Sequence, residues 1–193
     1  MSNFVEIKNK VGEFEKTISV PGDKSLSIRW VLFASLAKGK SKAKNLLMSE
    51  DVIAAIKAIK KLGIKVIINK KECTIFGKGI EGYNYKKNLT INAQNSGTLG
   101  RLILGLLVNS TKPINLIGDK SLSQRDFSRV SEPLSKFGAK FKFKNNNFLP
   151  LEICGSSNLK PIKYYEKKGS AQCKSSIIFA AMRTDGDTII KAK

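Results

Sequence analysis

Three stretches of this chain open a helix in the same way, and they recur at nearly constant spacing. Ser25 precedes Arg29 by four residues, Gly97 precedes Arg101 by four, and Ser170 precedes Lys174 by four. The cations at 29, 101 and 174 are 72 and 73 residues apart. Each is followed or overlapped by an apolar run: WVLFASLA, LILGLLV and IIFAAM. A small residue at a helix start and a cation one turn later lie on one face. The free backbone N–H groups there carry partial positive charge. Internal duplication of a strand–helix unit is therefore the pattern that any fold for this chain must satisfy.

The rest of the chain fits that period. KTISV (16–20) alternates as a strand does, and residues 25–37 read as a helix ending near Gly39. Ser49 can cap a helix whose first turn carries Glu50 and Asp51, where the helix dipole favours negative charge. Val52, Ile53, Ile56, Ile59 and Leu62 keep a helical period, Gly63 suits the C-cap, and IKVII reads as a strand. SKFGAKFKF repeats KKLGIKVII, with Gly138 standing 75 residues after Gly63. A helix begins at GSAQCKS, and DGDTIIKAK reads as a strand. Units are expected at about 16–88, 89–160 and 161–193. By the same spacing a further helix would begin near residue 200, so the third unit is expected to be incomplete.

Charge and residue types exclude several chemistries. The 193 residues carry 35 Lys+Arg against 15 Asp+Glu, a net +20. Such a field suits anionic ligands, but surface lysines used for solubility account for it equally well. Histidine is absent, which removes imidazole acid–base chemistry and the commonest metal ligand. Cys73, Cys154 and Cys173 form no CxxC pair and read as free thiols of a reducing cytoplasm. No apolar run approaches the ~20 residues of a membrane span.

The helix starts are the candidate site. Lys24, Ser25 and Arg29 in PGDKSLSIR can bind phosphate or carboxylate, or form a capped helix with two solvated cations. QNSGTLGR brings small residues where a ligand can approach backbone; it is neither a GxxxxGKS/T loop nor a GxGxxG fingerprint. Arg125 in SLSQRDFSR reads alone as a surface arginine beside Asp126. Ser170 can cap, and Gln172 can offer both a donor and an acceptor. Cys173 reads as packing. No carboxylate pair or nucleophile–base pair has a telling spacing.

These same stretches resemble the 5-enolpyruvylshikimate-3-phosphate (EPSP) synthase family. VPGDKSLSIR, NSGTLGRL, SQRDFSRVSEPLSKFGAKF and GSAQCKSSIIFAAM match its segments in family order and cover nearly the whole chain. The resemblance implies an α/β (α+β) enolpyruvyl transferase fold: an inside-out α/β barrel of repeated βαβαββ units around buried parallel helices. It implies the N-terminal domain alone, incomplete, with residues 1–15 as a strand segment that packs with a second domain absent from this sequence. Transfer of the enolpyruvyl group of phosphoenolpyruvate to the 5-hydroxyl of shikimate 3-phosphate is the implied reaction, without cofactor or metal, in a cytoplasmic monomer. Lys24, Ser25, Arg29, Ser170 and Gln172 would hold shikimate 3-phosphate. Lys24, Gly97, Arg125 and Gln172 would hold phosphoenolpyruvate. Arg101 matches a family arginine without being assigned a contact. The catalytic acid–base groups are expected in the second domain, so this chain alone is expected to be inactive.

Two positions depart from the family pattern. Gln94 stands where glycine is usual, which puts the turn before Asn95 in question. Asp126 replaces a proline and can draw Arg125 away from an anion. The rival readings are the UDP-N-acetylglucosamine enolpyruvyl transferase, whose cysteine loop is missing here; an RNA-end cyclase, which needs a histidine; and a basic nucleic-acid-binding module working through phosphate contacts.

Overall fold

LILGLL is apolar on every side, and a helix of that kind has to be enclosed on every side. The helix that carries it, residues 97–106, is the centre of the molecule. A computed structural model of the chain describes residues 6, 8, 12–13, 15–69, 72–167 and 169–192. In chain order the elements are α1 (Lys24–Leu36), β1 (Lys38–Lys44), α2 (Glu50–Lys61), β2 (Lys65–Asn69), β3 (Glu72–Lys78), β4 (Leu89–Asn92), α3 (Gly97–Leu106), β5 (Ile114–Ile117), α4 (Lys120–Ser123), α5 (Ser128–Lys136), β6 (Lys140–Asn145), β7 (Phe148–Cys154), β8 (Lys163–Glu166), α6 (Ala171–Ala181) and β9 (Ile189–Ala192). Every residue of α3 is buried except Arg101.

The sheets repeat as the sequence does. β4, β5, β7 and β6 form one sheet in that order, with β4–β5 parallel and the other two pairings antiparallel. β1-β3-β2 reproduces its last three strands, also antiparallel throughout. β8 and β9 pair in parallel, as β4 and β5 do. The fourth strand of the first sheet would be residues 16–20, and here the structure corrects the expectation: KTISV forms no strand. Ile18 is 73% and Val20 64% exposed. A short alternating run has no stability without a neighbouring ladder to pair with, and this one has none among the described residues. Most of residues 1–15, the expected strand segment, lies outside the described residues.

Helices α1, α3 and α6 run in the same direction. Arg29 of α1 donates to Ser175 of α6, and one turn further on Phe33 packs against Phe179 with ring centroids 4.4 Å apart and planes tilted by 38°. Gln172 of α6 meets Thr98 of α3, and further along Ser176 donates to the Arg101 carbonyl at 2.9 Å. Both pairings advance together, so the three N-termini lie at one end. The α3–α6 approach is very close: a Cβ on Gly105 would stand 2.1 Å from the Ser176 carbonyl oxygen. The glycine is what lets two backbones touch there.

The second helices of the first two repeats begin at the same end. Lys24 of α1 reaches Asp51 in the first turn of α2. Phe127, just before α5, packs beneath Gly100 of α3. Pro133 inside α5 removes the donor that would bond the Arg129 carbonyl, and the Cys173 thiol donates there instead at 3.0 Å. Gly63 and Gly138, with φ of 86° and 115°, end α2 and α5 as the repeat implied. Ser49 occupies the N-cap position of α2, but its hydroxyl makes no cap bond; Glu50 and Asp51 are left to serve the helix dipole. The short α4 has no sequence period to announce it.

The lysine excess has a location. Lys38, Lys40, Lys42 and Lys44 alternate along β1, Lys140, Lys142 and Lys144 along β6, and all are exposed. The two-residue period turns the charge outward and the smaller or apolar neighbours inward. No described helix is long and apolar enough to cross a membrane.

Candidate functional site

PGDKSLSIR holds more polar groups than a helix cap needs, and the structure sorts them. The Asp23 carboxylate accepts from the Leu26 amide at 2.7 Å and is the cap. The Ser27 hydroxyl is buried and accepts from the Leu47 amide. That leaves Lys24, Ser25 and Arg29. Lys24 is half exposed and lies 3.7 Å from Asp51, a pairing worth about 0–1 kcal/mol at a surface. Ser25 is partly exposed, and among the described residues its hydroxyl has no partner. Arg29 donates to the Ser25 carbonyl at 3.2 Å and to Ser175 of α6 at 3.1 and 3.3 Å, which ties the starts of α1 and α6 together.

The second start is built around Gly97. Ser96 caps α3 by accepting from Leu99. A Cβ at Gly97 would lie 3.0 Å from Arg125 Nη1 and 3.6 Å from Arg101 Nη1, so two guanidinium groups converge over a residue with no side chain. Arg125 donates to Asn95 Oδ1 at 3.4 Å, and Asn95 in turn donates to Asp119 at 2.7 Å. Asp126 does not displace this arrangement: its two oxygens accept from the Ser128 amide and hydroxyl, each at 2.7 Å, and close the first turn of α5. Arg125 stays over Gly97.

Gln94 adopts φ of 52°, the left-handed backbone that glycine takes freely. The turn is kept despite the side chain, with the Gln94 amide donating to Asn92 Oδ1 at 2.8 Å. A non-glycine residue there costs about 1–2 kcal/mol, of which glycine's greater unfolded-state freedom offsets part. Gln94→Gly is expected to raise stability in urea unfolding by about 0.5–1 kcal/mol; a loss of that size contradicts the reading of this turn.

At the third start Ser170 caps α6 by accepting from Cys173 at 3.2 Å, and its own amide donates to Glu166, which is buried. Gln172 bridges to α3: its Oε1 accepts from Arg101 Nη1, and its Nε2 donates to Thr98 Oγ1 at 3.0 Å. Burial holds the Arg101 guanidinium below its ordinary pKa range, Arg129 and Arg125 push the same way, and Asp126 opposes them. Three arginines crowded at one end leave a local excess of positive charge that an anion relieves.

Lys24, Ser25, Arg29, Gly97, Arg125, Ser170 and Gln172 therefore all stand at the shared N-terminal end of α1, α3 and α6. Lys174, the third cation of the repeat, is partly buried and is not part of these contacts among the described residues. Ser175, Thr98, Asn95 and Glu166 take part in these contacts without a role that the sequence assigns them. Thr98 and Asn95 lie inside NSGTLGR and were legible as polar neighbours of Gly97; Ser175 and Glu166 carry no local signal.

Comparison with known proteins agrees with this fold. The family model for EPSP synthase (3-phosphoshikimate 1-carboxyvinyltransferase) matches residues 8–193. The 3-phosphoshikimate 1-carboxyvinyltransferase of Streptococcus agalactiae is 42% identical over 178 residues, 92% of this chain and 42% of that protein. That of Streptococcus suis is 40% identical over 190 residues, 98% of this chain and 44% of its own length. A solved EPSP synthase from Acinetobacter baumannii superposes with a TM-score of 0.85 at 34% identity, covering 90% of this chain and 39% of its own. The chain thus spans about two fifths of the length of the relatives it matches. With a family model that matches residues 8–193, relatives about 40% identical and a shared fold, the chain belongs to the EPSP synthase family.

Proposed function

We propose that this chain forms the shikimate 3-phosphate half-site, and part of the phosphoenolpyruvate site, of a 3-phosphoshikimate 1-carboxyvinyltransferase. The observation that supports this reading is the gathering of Lys24, Arg29 and Arg125 with three helix N-termini at one end of the molecule. Both substrates are polyanions, and helix N-termini with flanking cations suit them. Ser25, Arg29 and Ser170 hold the shikimate 3-phosphate. The Gly97 amide and Arg125 hold phosphoenolpyruvate. Lys24 contacts both at the phosphate end, and Gln172 lies between them.

In the reaction the 5-hydroxyl oxygen of shikimate 3-phosphate attacks C2 of phosphoenolpyruvate and gives up its proton to a base, while C3 takes up a proton from an acid. The resulting tetrahedral ketal phosphate then loses a proton from C3 as the C2–O bond to phosphate breaks, giving EPSP and phosphate. Fixed cations and amides stabilise the phosphate charge throughout without reorganising. The groups that move the protons come from outside this stretch. Such an enzyme works in the cytoplasm as a monomer, and the three repeat units with their boundaries near 88 and 160 belong to its first domain.

Two measurements test this. Phosphate release by the 193-residue chain with both substrates is expected to stay at the buffer rate; turnover resembling a complete enzyme contradicts the half-site. Shikimate 3-phosphate, and not shikimate, is expected to raise the melting temperature, since ligand at a hundred times its Kd adds about 2.7 kcal/mol. No shift with millimolar shikimate 3-phosphate contradicts the assignment.

A further inference from the structure

Arg101 holds no substrate in the reading above, yet it is the one residue of α3 that is only partly buried, and its guanidinium lies over Gly97 at the site. A guanidinium has five N–H donors and no acceptor. The amide atom of Gln172 that meets Arg101 Nη1 must therefore be the oxygen. The other end of that amide is then an NH2 group with two donors. One is used on Thr98 Oγ1 at 3.0 Å. The other has no partner among the described residues and is free for a ligand at the helix starts.

We infer that Arg101 is a positioning residue that fixes the Gln172 side chain as a hydrogen-bond donor toward the ligand and never as an acceptor. The glutamine is ambivalent by its chemistry, and its neighbour removes the ambiguity. Arg101 is itself fixed, with its guanidinium carbon 5.7 Å above the Phe127 ring. Gly100 has no side chain, and a Cβ there would lie 3.4 Å from that ring, so Phe127 sits close against α3. The Arg101 carbonyl accepts from Ser176, which pins the same helical turn to α6. A donor-only Gln172 selects ligand atoms with lone pairs and no proton, such as phosphate or carboxylate oxygens. The inference rests on the proposed function for the identity of the ligand, but not for the orientation of the amide.

A double-mutant cycle on the 193-residue chain tests it, with shikimate 3-phosphate as titrant in a calorimeter. Arg101→Met is expected to weaken binding about tenfold when Gln172 is present, and less than twofold in the Gln172→Ala background. An equal loss in both backgrounds overturns the inference, because Arg101 would then act through its charge alone. The side-chain amide of Gln172, observed by 15N NMR, gives an independent readout. It is expected as one sharp, exchange-protected pair in the unsubstituted chain, broadened in Arg101→Met, and kept in Arg101→Lys, which still donates and cannot accept. An amide signal unchanged in Arg101→Met overturns the positioning role whatever the ligand does. If Gln172→Ala leaves binding intact, the substrate reading of Gln172 fails, and the amide signal alone decides the role of Arg101.

Discussion

Lys24→Ala is expected to weaken shikimate 3-phosphate binding to this chain between about tenfold and a hundredfold, with no change in stability beyond about 0.5 kcal/mol. A hydrogen bond to a charged group contributes about 1.5–3 kcal/mol, and 1.4 kcal/mol is a factor of ten. Lys24 supplies such a bond at the phosphate end of the proposed site. Nothing in the fold depends on it: the side chain is half exposed, and its contact with Asp51 is 3.7 Å long. Asp23 makes the helix cap without it. Calorimetry gives the affinity and urea unfolding gives the stability. Lys40→Ala on the outer face of β1 is the control, because it removes the same charge far from the helix starts. Equal losses in the two variants contradict a local role for Lys24 and leave only the general field of a +20 chain.

Gly105→Ala is expected to destabilise the chain by about 3 kcal/mol, a fall of roughly 10 °C in melting temperature for a protein of this size. The added methyl would lie 2.1 Å from the Ser176 carbonyl oxygen, which belongs to backbone and cannot turn aside. α3 and α6 must move apart, and the bonds from Gln172 to Arg101 and Thr98 span that same interface. Gly100→Ala on the same helix provides the contrast. Its methyl would meet Phe127 at 3.4 Å, an ordinary contact, and alanine favours the helix by about 1 kcal/mol. Thermal melts of the two variants are expected to differ widely. Similar melting temperatures contradict the close α3–α6 approach.

Much of the fold was legible because the period was. The recurring helix starts at 25, 97 and 170 and the glycines at 63 and 138 mark five helices in the sequence alone, and all five are present. KTISV failed as a strand because alternation records which side of a strand would face inward, not whether a neighbour is there to pair with. Ser49 failed as a cap because residue type permits a hydrogen bond and geometry decides it. The candidate site was legible as residue types at helix starts. Their convergence was not, since it depends on contacts between positions 70 to 150 residues apart, such as Arg29 with Ser175 and Gln172 with Thr98. The two departures from the family pattern are absorbed locally: Gln94 accepts a left-handed backbone, and Asp126 bonds to Ser128.

The central claim is that three parallel helix starts of this one chain make a specific site for shikimate 3-phosphate. Isothermal titration of the 193-residue chain with that ligand, repeated at low and at physiological salt, tests it most directly. The account expects saturable binding with one site per chain that survives the higher salt and is lost with Lys24→Ala. Heat that never saturates, or vanishes with screening and is indifferent to Lys24, would contradict it.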